Sequence, residues 1–171
     1  MRITLLALLA ALTGCGSVTP IQTVEQVDLQ RFMGDWYVIA NIPTPFEKGA
    51  HNAVESYQLN DKGEIQTTFT FRKDSFDGKE KVMRPKGVVR DASNADWGMQ
   101  FWFTWPFKAE YKIIYLTDDY GQTVVGRSKR DFVWIMARQP SIPDTDYAAI
   151  LEFVAEQGYD VSKIQRVPQR W

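Results

Sequence analysis

The amino-acid sequence predicts an all-β fold: eight antiparallel strands in an up-and-down meander, closed as a barrel, with a C-terminal α-helix packed outside. Three observations carry this expectation. Short runs of period-two alternation recur between Trp36 and Arg138, separated by turn-forming residues. The stretch WGMQFWFTWPF sets Trp97, Met99, Phe101, Phe103, Trp105 and Phe107 on one face, a wall of large apolar side chains. A single helical stripe, Tyr147, Ile150, Leu151 and Val154, follows the last strand. A meander that closes on itself leaves no exposed sheet edge.

The chain begins with Arg2 and an apolar run, Ile3–Leu12, about half the ~20 residues needed to span a bilayer as a helix. It ends in Leu12-Thr13-Gly14-Cys15, which resembles the lipobox of bacterial lipoproteins. That resemblance implies residues 1–14 as a signal peptide and a lipid-modified Cys15 as the first mature residue. Several acyl chains on one residue hold a protein firmly at a membrane, whereas one is marginal. Gly16, rather than Asp, follows the cysteine, which in such lipoproteins favours the outer membrane, with the domain facing the periplasm. The alternative is an ordinary secreted protein with a spare cysteine. Residues 15–27 read as a small, polar tether of roughly 40 Å reach, and 28–171 as the barrel domain.

The elements follow in order. WYVIANI (Trp36–Ile42) opens the barrel and leads to a loop with Pro43, Pro45 and Gly49. NAVESYQL (Asn52–Leu59) turns at Asn60–Gly63 into Glu64–Arg72, where Ile65, Thr67, Phe69 and Phe71 share a face. A charged strand, roughly Lys79 to Arg90, precedes the turn Asp91–Asp96 and the aromatic stretch. Glu110–Leu116 places Tyr111, Ile113 and Tyr115 on one face. Thr117–Gly121 turns into QTVVGRS, and Phe132–Arg138 is the eighth strand. Ser141 and Asp144 with Pro143 approximate a capping box, and Gly158 stops the helix. Tyr159–Val167 has the pattern of a short added strand.

Gly34-Asp35-Trp36 at the first strand, Thr117-Asp118-Asp119-Tyr120 before the seventh and Arg138 at the end of the eighth together resemble the lipocalin family. With the lipobox and the C-terminal stretch, the bacterial outer-membrane lipocalins are the nearest resemblance. The family pattern has one acid where this chain has two; Asp118 is taken as its equivalent, with Asp119 as the alternative. The resemblance implies a structural role for Gly34, Trp36, Thr117, Asp118, Tyr120 and Arg138. Trp36 would plug the closed end, with the Arg138 guanidinium across its indole.

It also implies which residues face the lumen: Phe69, Phe71, Met99, Phe101, Phe103, Tyr111, Ile113 and Tyr115. Such a lumen, almost without charge, suits an acyl chain; about 14 methylenes at ~0.8 kcal/mol each would contribute roughly 11 kcal/mol gross. A small barrel's aromatics can equally fill its interior. The resemblance also implies that the loops at the open end carry Lys48, Lys73, Lys79, Lys108, Arg127, Lys129 and Arg130 against Glu47, Asp74, Asp77 and Asp131, a mildly cationic rim or merely solvated loop charge. Phe46, Phe76, Trp105 and Phe107 form an apolar lip or a self-packed lid.

The functional expectation is a membrane-tethered binder of a fatty acid or lysophospholipid, without cofactor or metal. The alternatives are a structural or assembly lipoprotein with a packed barrel, using Trp102 and Trp134 as outward contacts or for a homodimer, and a bilin or haem carrier. A net charge of −1 gives no footprint for nucleic acid. One histidine, His51, and one cysteine leave no transition-metal set, and neither a G-x-S-x-G elbow nor a P-loop occurs. No catalytic activity is expected.

Overall fold

The computed structural model describes residues 20–102 and 106–171. The expected signal peptide, Cys15, Phe103 and Trp105 lie outside the described residues.

Nine strands run antiparallel in sequence order: β1 (Gly34–Ile42), β2 (Ala50–Leu59), β3 (Ile65–Lys73), β4 (Glu80–Met83), β5 (Lys86–Val89), β6 (Asp96–Gln100), β7 (Ala109–Leu116), β8 (Gln122–Gly126) and β9 (Val133–Ala137). β4 and β5 are two halves of one stave, both paired to β3 and interrupted at Arg84-Pro85. Pro85 has no N–H to give the ladder, but its carbonyl accepts from Thr67 N at 3.2 Å. β9 returns to pair with β1 from Tyr37↔Ala137 to Ile42↔Val133, which closes an eight-stave barrel. β10 (Gln165–Arg166) pairs with Ala40 and Asn41 of β1, beyond the Gly34–Tyr37 segment that β2 occupies.

Alternation divides the apolar residues into two cores. Inside the barrel lie Trp36, Tyr57, Phe69, Phe71, Trp97, Met99, Tyr111 and Ile113. Outside it, Ile39, Ile114, Val124 and Ile135 meet Ile150 and Val154 of the helix α2 (Asp144–Glu156). The expected Ser141 cap is absent: Pro143 holds the N-cap position, and no side chain caps the helix. Asp144 and Asp146 in the first turn complement the helix dipole instead. Gly158, at φ +88°, takes the left-handed conformation that ends the helix.

Two further expectations are corrected by the structure. The free tether does not extend to Val27: Ile21 and Val27 are buried, and Val24 N and Val27 N donate to Ile113 O at 3.0 Å and Ser93 O at 2.8 Å. Apolar side chains in an otherwise polar segment strap it onto the barrel. Tyr115 does not face the lumen. A bulge between Ile113 and Tyr115 reverses the alternation, so Ile114 and Tyr115 point outward and Tyr115 packs on Phe153 of α2 at 5.3 Å.

Candidate functional site: a cavity above a sealed floor

The floor is built from the short helix α1 (Leu29–Phe32), capped by Asp28, whose carboxylate accepts from Gln30 N and Arg31 N. It lifts Phe32 against Trp36, Tyr57 and Trp97 at ring separations of 4.9, 5.8 and 5.4 Å. Trp36 is fully buried and donates its indole N–H to Phe32 O at 2.8 Å. The Arg138 guanidinium lies 3.9 Å from the Trp36 ring centre and donates to the carbonyls of Arg31, Phe32, Met33 and Asp35 at 2.7–3.1 Å. It thereby satisfies the carbonyl end of α1. Gly34, at φ +94°, passes so close that a Cβ would sit 3.4 Å from an Arg138 nitrogen.

Thr117 organises the neighbouring turn, with its hydroxyl accepting from Gly121 N and Gln122 N, each at 3.0 Å. Of the two acids, Asp119 supplies the side-chain bonds, accepting from Thr117 Oγ1 at 2.6 Å and Gly121 N at 2.9 Å. Asp118 contributes its backbone carbonyl to Arg31. Tyr120 carries the Arg31 guanidinium over its ring at 4.0 Å and accepts from Asp28 N through its hydroxyl. The motif residues thus bind the entry segment to the barrel.

Above this floor the lumen is hollow. A cavity of about 220 Å³ is lined by Phe69, Met83, Pro85, Met99, Phe101 and Tyr111, and by Phe132 and Trp134 on the opposite wall. Pro45 and Phe46, both exposed, border it from the loop between β1 and β2. Of the expected lumen residues, Phe69, Met99, Phe101 and Tyr111 line the cavity. Phe71 is buried against Phe69 at 5.3 Å, and Ile113 is buried in the inner core; neither borders the hollow. Trp134 is inward, contrary to the outward role weighed for it, whereas Trp102 is 89% exposed. A wider depression of about 570 Å³ lies outside, between the Asp119–Gln122 turn and Arg138–Pro143, open to solvent.

The expectation of a lumen almost without charge is also corrected. Glu47 and Glu55 are 6% and 8% exposed and both line the cavity. Glu47 turns in from its loop because one oxygen accepts from Asn41 Nδ2, Thr44 N and Trp134 Nε1 at 3.1–3.3 Å. Burial nevertheless pushes its carboxyl above the usual range, against those bonds. Glu55, in phase with Tyr57 on β2, accepts from the Tyr57 hydroxyl at 2.5 Å, and Tyr57 is hydrogen-bonded in turn to the Tyr111 hydroxyl. Burial raises Glu55 to about 7, with the Tyr57 bond opposing and the charge of Glu47 adding. Tyr57 and Tyr111 are pushed well above the ordinary phenol range, chiefly by burial.

The rim is less cationic than its composition suggests. Arg127 pairs with Asp131 at 3.6 Å, and Arg130 donates to Gln157 O at the end of α2. Lys48, Lys79, Lys108 and Lys129 are exposed. Among the described residues there is no cluster of three metal-ligating side chains, and no helix is long and apolar enough to cross a membrane.

Residues 27–169 match the lipocalin-like domain family. The chain belongs to the lipocalin family. It is 30% identical over 161 residues to the outer membrane lipoprotein Blc of Citrobacter freundii, covering 91% of this chain and 88% of the relative. It is 27% identical to temperature-induced lipocalin-1 of Arabidopsis thaliana, covering 87% and 83%. Among solved structures, insecticyanin from the tobacco hornworm Manduca sexta superposes with a TM-score of 0.65 at 16% identity, covering 86% and 83% of the two chains. Lipocalins are generally binding or carrier proteins, and a small hydrophobic ligand is the kind of partner this lipocalin takes.

Proposed function

We propose that this lipocalin is a membrane-tethered carrier that stores or transports a single-chain lipid, a fatty acid or lysophospholipid, in the bacterial cell envelope. The observation that carries the reading is the hollow upper lumen, walled by aromatic and thioether side chains and opening past Pro45 and Phe46. Its volume of about 220 Å³ lies below the ~300–1,000 Å³ of drug-sized sites. That favours one flexible chain over a broad tetrapyrrole. His51, the chain's one histidine, lies against Phe76 and donates from Nδ1 to Gly49 O at 3.1 Å, and it does not border the cavity.

Tethering through Cys15 rests on the lipobox-like Leu12–Cys15 and on the likeness to outer membrane lipoproteins. Titration of a lysophospholipid below its critical micelle concentration, followed by tryptophan fluorescence, tests the carrier role; one saturable site is expected, and no binding overturns it. Labelling cells with radioactive palmitate tests the anchor. Label is expected on the wild type and absent from Cys15→Ser; label retained by the variant overturns that assignment.

A further inference from the structure

The carboxyls of Glu47 and Glu55 stand out because nothing cationic answers them. Lipid tails need no acid, and buried charges are ordinarily paired. Here neither carboxyl has a lysine or arginine within ion-pair distance among the described residues. Glu55 is more than nine-tenths buried and borders the cavity; one of its oxygens takes the Tyr57 hydroxyl, and the other has no hydrogen-bond partner among the described residues. Among the described residues Arg127 is the one cation bordering the hollow; it pairs with Asp131, and its charge also acts on Glu110. Burial raises the Glu110 carboxyl, but hydrogen bonds from Ser128 and the charges of Lys112 and Arg127 bring it below the ordinary range. The lining therefore carries three carboxyls against one guanidinium.

The aromatic lining is the second, independent observation. Tyr111 and Trp134 lie nearly parallel at 6.3 Å, and Phe69 and Phe132 complete the walls around the acids. Aromatic faces attract ammonium groups, more strongly when water is excluded.

We propose that the lumen selects a single-chain amphiphile whose head is a hydrogen-bond donor or cation, an amine or ammonium, seated between Glu55 and Glu47 with the aromatic rings about it. This rests on the single-chain-lipid reading and narrows it, against free fatty acids. The head gives Glu55 the donor that its second oxygen lacks, while the chain runs up past Met99 and Phe101 toward the mouth. A carboxylate head in that place would meet like charge from Glu55 and Glu47. Its remaining partner is Arg127, whose buried Nε makes no hydrogen bond.

The test compares dodecylamine, 1-dodecanol and dodecanoate, all twelve-carbon chains, below their aggregation limits at about pH 8 on the purified protein. The amine is expected to bind at least about tenfold more tightly than dodecanoate, with the alcohol between them. Glu55→Gln is expected to bring that ratio below about threefold, with Glu47→Gln as the second variant should Glu55→Gln not fold. Dodecanoate binding as tightly as the amine places the head at Arg127 and overturns the proposal while leaving the carrier reading intact. A ratio unchanged in both variants also overturns it. Failure of all three ligands to bind removes the carrier reading itself.

Discussion

Replacing Glu55 by Gln tests the lumenal electrostatics through stability alone, without any ligand. The carboxyl is raised from 4.5 to about 7 in the folded protein, chiefly by burial. A raised acid pKa means that the folded state holds a proton the unfolded chain has already lost, so stability falls as pH rises from about 4.5 to about 7. Two and a half pH units at about 1.36 kcal/mol each correspond to about 3 kcal/mol. Glutamine preserves the shape and still offers an oxygen to the Tyr57 hydroxyl, but has no proton to lose. Urea unfolding at pH 4.5, 6 and 8 should therefore show Glu55→Gln gaining on the wild type by about 3 kcal/mol between the ends of that range. The raised carboxyl of Glu47 is present in both proteins and largely cancels. A difference that stays constant with pH, or a wild type that gains on the variant at pH 8, would refute the reasoning.

Arg138→Ala removes four carbonyl contacts and the cover over Trp36. It should cost about 3 kcal/mol in urea unfolding and loosen α1 in hydrogen exchange. Ile150→Ala, on the buried face of α2, should lose about 2–5 kcal/mol of stability while leaving ligand affinity within about twofold, because it packs outside the barrel. Trp134 is the one described tryptophan that borders the cavity. Trp134→Phe should therefore abolish most of the ligand-induced fluorescence change, and a full change in the variant would place the ligand elsewhere.

Alternation and turn residues made the barrel legible. Strands with one buried face repeat every second residue, and the helix announces itself at i, i+3, i+4. The same rule failed at Tyr115, because the bulge in β7 is a single inserted residue with no compositional mark. Trp36 and Arg138 could be placed together only through the family pattern, since residues a hundred positions apart meet in space alone. Glu55 was within reach of sequence reasoning. It shares the phase of Ala53 and Tyr57, both buried, and an acid in phase with buried residues marks an inward charge. Glu47 was not, because it sits in a proline-bearing loop where no period applies. Its inward turn depends on Asn41 and Trp134, from two other segments. Trp134 itself lies in a run of five buried residues, Val133–Ala137, covered on both faces, so alternation could not orient it.

The most direct test is crystallography of the complex with a twelve-carbon amine carrying bromine at the end of its chain, phased on the anomalous signal. One molecule should lie inside the barrel, its nitrogen within hydrogen-bond distance of Glu55 and its bromine near the mouth beside Phe46. Bromine found only on the outer surface, around Trp102, with the space between Phe69, Met99 and Trp134 unchanged, would contradict a ligand-binding lumen.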